Sequence, residues 1–88
     1  MKIAQTGVGF VENLFAVRAL HGWLLPVQVA VEGTATYRIL GRVSPEAQWR
    51  ELRAADTVSC LEAVNWVPYV RLEVLSGDGS ATLWLGEG

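Results

Sequence analysis

Apolar and polar residues alternate with period two along most of this chain. In VQVAV (27–31), Val27, Val29 and Val31 share one face. In TATYRILGRV (34–43), Ala35, Tyr37, Ile39 and Val43 share one face, and Thr34, Thr36, Arg38, Leu40 and Arg42 share the other. PYVRLEV (68–74) turns Val70, Leu72 and Val74 inward and Arg71 and Glu73 outward. ATLWL (81–85) sets Ala81, Leu83 and Leu85 against Thr82 and Trp84. Such alternation marks antiparallel strands with one face on a core and the other in water. Glu32-Gly33 predicts a tight turn between the first two strands. Ser76-Gly77-Asp78-Gly79 predicts a four-residue loop between the last two, with Asp and Gly supplying the unusual dihedrals.

Three stretches carry mixed signals. VENLFAVRALHGW (11–23) places Val11, Leu14, Phe15 and Arg18 at helical spacing, while Phe15, Val17 and Ala19 alternate. Gly7, Gly9 and Gly22 cut this region into short pieces, so a strand over 14–20 is the preferred reading. SPEAQWREL (44–52) has a helix-start signal: Ser44 as cap, Pro45 at the first helical position, Glu46 near the positive end of the dipole. The same letters also make a turn followed by a short strand containing Trp49 and Leu52. TVSCLEAVNW (57–66) reads as a strand, with Val58, Cys60 and Glu62 on one side and Leu61 and Ala63 on the other.

The count is seven or eight short antiparallel strands, with turn signals every eight to twelve residues. The expectation is an all-β chain: a single small β-sandwich or jelly-roll-like domain over residues 1–88. Treated as a hairpin, the last two strands pair Val74 with Ala81, Glu73 with Thr82, Leu72 with Leu83 and Arg71 with Trp84. The Arg71 guanidinium then lies over the Trp84 indole, a contact worth roughly 0.5–1 kcal/mol when exposed.

Composition adds one consideration. Apolar residues make up 51% of the chain, charged residues only 18%, and there are four tryptophans. A domain this small buries only about 60% of its unfolded surface, so part of that apolar surplus is expected to be covered by a partner. The outward positions expected at such an interface are Arg38, Trp49, Trp66, Tyr69, Arg71 and Trp84. Net charge is −2 and the seven basic residues are scattered, which argues against nucleic acid as the partner. No apolar run is long enough for a membrane-spanning helix, and no secretory signal follows Met1-Lys2. Cys60, being single, excludes an internal disulfide.

Catalytic constellations are not visible. His21 is the only histidine, and no Cys/His spacing suggests a metal site. A Cys60–His21 nucleophile–base pair has no local support; Cys60 reads as a small buried hydrophobe. Gly7-Val8-Gly9 lacks the third glycine and the strand-to-helix setting of a dinucleotide loop. The loop around Asp78 lacks EF-hand spacing. Glu46, Glu51, Asp56 and Glu62 form no acid/base couple. The expectation is a protein that is not an enzyme and carries no cofactor or metal.

Two segments, VAVEGTATYRILGRVSPEAQWREL and LEAVNWVPYVRLEVLSGDGSATLWLGEG, together resemble small virion proteins of tailed bacteriophages. The resemblance rests on Gly33 to Leu52 and Leu61 to Leu85, roughly half of the chain. It includes a Thr/Tyr strand leading into Gly-Arg-Val, then a Trp and PYVRLEV ahead of a Gly-rich hairpin. It implies a capsid decoration (cement) protein that braces the major capsid protein as a homotrimer. Such a protein is made in the host cytoplasm and sits on the capsid surface. The alternative it implies is a tail, fibre or baseplate accessory module for assembly or for glycan or receptor contact. Residues 1–26 lie outside the resemblance. Within them, 1–13 read either as an extended amino-terminal arm or as an ordinary first strand.

Overall fold

Eight strands build the protein: β1 (Lys2–Thr6), β2 (Gly9–Glu12), β3 (Leu24–Glu32), β4 (Thr36–Arg42), β5 (Arg50–Asp56), β6 (Cys60–Asn65), β7 (Tyr69–Ser76) and β8 (Ser80–Leu85). The structure, a computed structural model, describes residues 1–19 and 22–86, and those residues include no helix. The strands form two four-stranded sheets, β1-β8-β3-β6 and β2-β7-β4-β5. β1 pairs with β8, β2 with β7, β3 with β6 and β4 with β5, all antiparallel. This is one long hairpin, bent between β4 and β5 and rolled up. Pairing of β3 with β8 and of β4 with β7 joins the turns of the roll. The nested order is that of a jelly roll, so the chain is the all-β sandwich its alternation predicts.

The core lies between the sheets. Val27, Val29, Ala81, Leu83 and Leu85 come from the first sheet, and Tyr37, Ile39, Val70, Leu72 and Val74 from the second. Each occupies the inward phase of its strand, which is why period two was so clear there. Tyr37 is the largest wholly buried side chain, and its hydroxyl donates to the Val58 carbonyl at 2.7 Å. Burial pushes that hydroxyl well above its usual pKa, and the contact with Cys60 adds to the effect.

The closing hairpin is the main correction. β7 and β8 are consecutive but lie in different sheets. Arg71 pairs with Leu40 and Glu12, whereas Trp84 pairs with Gln28 and Lys2. Arg71 and Trp84 therefore stand on opposite outer faces, and no stack forms between them. β3 and β4 likewise do not pair across Glu32-Gly33. Alternation tells which side of a strand is buried, but not which sheet holds the strand. Here the loops cross the ~10 Å gap between sheets, and they cross together. Gly79 N–H donates to the Thr34 carbonyl at 2.8 Å, and Gly7 N–H donates to the Gly79 carbonyl at 2.9 Å. A Cβ on Gly77 (φ 97°) would run into the Thr34 carbonyl, and one on Gly79 into the Glu32 carbonyl. Only glycine permits this approach.

Other expectations shift locally. β1 and β2 are paired strands, so residues 1–13 do not form an extended arm. No strand occurs in 13–19; the segment is a strap pinned by side-chain and backbone hydrogen bonds. Leu20 and His21, the end of the expected strand and the single histidine, lie outside the described residues. The helix-start signal at Ser44 is a turn, closed by Ala47 N–H on the Ser44 carbonyl at 3.2 Å. Val43 falls beside that turn and is exposed, because β4 ends at Arg42. The last inward slot of β4 is Gly41, which is closed over by Val67 and Leu52. Val58 precedes β6 and is exposed; Val64 is the buried residue of that strand.

Candidate interaction surfaces

The outer face of the second sheet is occupied by its own side chains. Arg71 lies 3.9 Å from the Phe10 ring centroid and 4.5 Å from that of Trp49, and Arg42 lies 4.3 Å from Trp49 on the same indole. The result is a column, Phe10–Arg71–Trp49–Arg42, each stacking contact worth about 0.5–1 kcal/mol. Glu12 accepts from the Arg71 guanidinium at Nε and Nη2. Arg38 donates to Glu73 at 2.6 Å and reaches Glu51 at 3.6 Å. The hydrogen bond to Glu73 holds the Arg38 pKa above its ordinary value. Leu40, paired with Arg71, is buried under this cover although it points away from the core.

Of the six expected interface residues, Arg38, Trp49 and Arg71 meet on this face, and Tyr69 opens β7 opposite Arg42. Trp66 is elsewhere and is committed to the fold. It packs half-buried on the core, its Nε1 donates to the Val17 carbonyl at 3.2 Å, and its N–H donates to the Trp23 carbonyl at 2.7 Å. Trp84 stands apart from all of them on the other sheet.

The outer face of the first sheet is different in kind. Its pairing aligns Lys2, Trp84, Gln28 and Leu61 in one row across four strands, and Ala4, Thr82 and Ala30 in the next. Among the described residues its charges are Lys2 at the edge strand and Glu32 at a strand end. Trp84 is 41% exposed and Leu61 75% exposed. Trp23 (80% exposed) and Leu24 continue the apolar surface at one end. A shallow depression beside Trp84 is lined by Pro26, Gln28, Leu61 and Leu85. A large ring amid small, uncharged neighbours is the usual make-up of an interface centre.

A third feature was not foreseen. Asn13 is buried and its carboxamide organises the strap. It donates to the Pro68 carbonyl at 3.0 Å and to the Phe15 carbonyl, and it accepts from Val70 N–H at 2.7 Å. Val17 N–H adds a bond to the Pro68 carbonyl at 2.8 Å. The strap's backbone is thus fixed, yet it presents Leu14 at 91% and Phe15 at 77% exposure. Beside it, a groove of about 420 Å³ opens between β1 and β2, lined by Met1, Ile3, Val11, Leu14 and Phe15 with Lys2 and Glu12 at its sides. Leu61 was within reach of sequence reasoning, since alternation put it opposite Cys60. Leu14 and Phe15 were not, because an apolar pair in a gapped region reads as core.

Among the described residues, no three His, Cys, Asp or Glu side chains stand together as metal ligands do. No family model, curated protein or solved structure matches the chain.

Proposed function

We propose that this protein is a structural virion component that decorates the capsid surface and cements neighbouring major capsid subunits. The observation that carries the reading is the contrast between the two sheet faces. One face engages its charges in ion pairs and stacks, although Arg42 Nε is buried without a hydrogen-bond partner among the described residues. The other offers the part-exposed Trp84 and the exposed Leu61 with, among the described residues, few charges and no ion pair or stack over them. Covering the exposed two-fifths of the Trp84 indole removes on the order of 100 Å² from water and contributes about 2 kcal/mol. The resemblance of Gly33 to Leu52 and Leu61 to Leu85 to phage virion proteins is what supports taking the capsid lattice as that partner. The jelly-roll order suits the role, as a rigid two-layer slab that lays one flat face on a surface.

The test is co-sedimentation with heads assembled from the major capsid protein of the same genome. Wild-type protein saturates the heads, whereas Trp84→Lys combined with Leu61→Lys does not bind yet keeps its β-sheet circular dichroism. Wild-type protein that stays in the supernatant, or that is retained on tails and not on heads, contradicts the proposal.

A further inference from the structure

The two open sides of the sandwich are closed differently. On the β5/β6 side, Arg53 donates to Glu62 at 2.7 Å, tying one sheet edge to the other, and to Asp56 of its own strand at 2.9 Å. On the β1/β2 side there is no such clasp among the described residues, only the apolar groove and the fixed strap with Leu14 and Phe15 outside. We propose that this side is a self-association surface, and that its occupant is a second copy of the chain related by a two-fold axis along the groove.

Charge selects the occupant and the axis. Lys2 lies on the outer side of the first sheet and Glu12 on that of the second, so the two sides of the groove carry opposite charge. Among the described residues Lys2 has no carboxylate partner, whereas Glu12 uses one oxygen for Arg71 and keeps its side chain 34% exposed. A two-fold axis along the groove sets each Lys2 against the other copy's Glu12. An axis across the groove would set Lys2 against Lys2. The same operator brings the two Leu14–Phe15 pairs together over the grooves, as an isologous contact requires. Leu14 and Phe15 with the groove wall offer on the order of 400 Å² of apolar surface per copy, about half of the roughly 800 Å² of a standard interface, the polar rim supplying the rest. β1 and β2 are short and stand at the ends of their sheets, and association also covers those edges.

This proposal uses a different surface from the capsid contact, and it puts a two-fold dimer in place of the homotrimer that the resemblance implies. The experiment is sedimentation velocity of the full chain across a concentration series. The expected result is a monomer–dimer equilibrium. Leu14→Asp with Phe15→Asp shifts it to monomer with unchanged circular dichroism, since both side chains are outside the core. Lys2→Glu weakens association at least tenfold, and Trp84→Lys leaves it intact. A monomer at every concentration, a trimer, or a dimer indifferent to the Leu14/Phe15 change overturns the proposal. Head binding by a strictly monomeric wild type would overturn it while leaving the capsid reading standing.

Discussion

Asn13→Ala isolates the device that holds the strap. The substitution removes a buried carboxamide that accepts from Val70 N–H at 2.7 Å and donates to the Pro68 carbonyl at 3.0 Å. Val70 is wholly buried, so its N–H is left without a partner, at about 1–3 kcal/mol. The Pro68 carbonyl still accepts from Val17 N–H, so its loss adds roughly 0.5–1 kcal/mol. The total is about 2–4 kcal/mol, a large share of the stability of a domain this size. At roughly 4–8 °C per kcal/mol, Tm falls by about 8–32 °C. Asn13→Asp is the informative companion. It keeps the acceptor for Val70 N–H but sets its other carboxylate oxygen against the Pro68 and Phe15 carbonyls. It is therefore more destabilised at neutral pH than at a pH low enough to protonate it. The assay is urea unfolding followed by tryptophan fluorescence, with the Val70 amide resonance as a local reporter. An Asn13→Ala protein within 0.5 kcal/mol of wild type by this measurement, or an Asn13→Asp protein insensitive to pH, refutes the argument.

Three further outcomes follow from the same geometry. Gly77→Ala prevents the close crossing of the two loops and destabilises by more than the ~1 kcal/mol expected for Gly22→Ala, which has positive φ but open space around it; thermal melts of the pair compare clash with strain. Arg71→Leu removes the middle of the stacked column and the partner of Glu12, and urea midpoints should show a loss of about 1–3 kcal/mol with β-sheet content retained. The hydrogen bond from Arg53 and the Thr57 N–H hold the Asp56 pKa below the usual carboxylate range, so its contribution is full above about pH 4 and is lost as pH falls through the lower, folded-state value. Asp56→Asn should flatten that acid limb in a pH series of melts, leaving the neutral-pH slope unchanged.

What was legible in the chain was the phase of each strand. Val27, Val29, Val70, Leu72, Val74, Ala81, Leu83 and Leu85 are all inward because a two-layer core tolerates nothing else on that side. What was not legible was sheet membership. A Gly-rich loop of four residues serves a tight hairpin and a crossing between layers equally well, so Arg71 and Trp84 seemed neighbours when they face away from each other. The strap was hidden for a related reason. Its conformation is set by Asn13 reaching Pro68 and Val70, more than fifty residues away, and no local pattern reports such a contact. Trp66 looked outward by position, but its indole is spent on the strap carbonyl of Val17. Of the four tryptophans, Trp23 and Trp84 are left exposed, which is the part of the apolar surplus the fold itself does not cover.

The most direct measurement is a cryo-EM map of heads incubated with the protein. The account predicts density for the sandwich with the β1-β8-β3-β6 sheet against the lattice and Trp84 at the contact. Density with the Arg71–Trp49 face against the lattice, or bare heads at saturating protein, would contradict it.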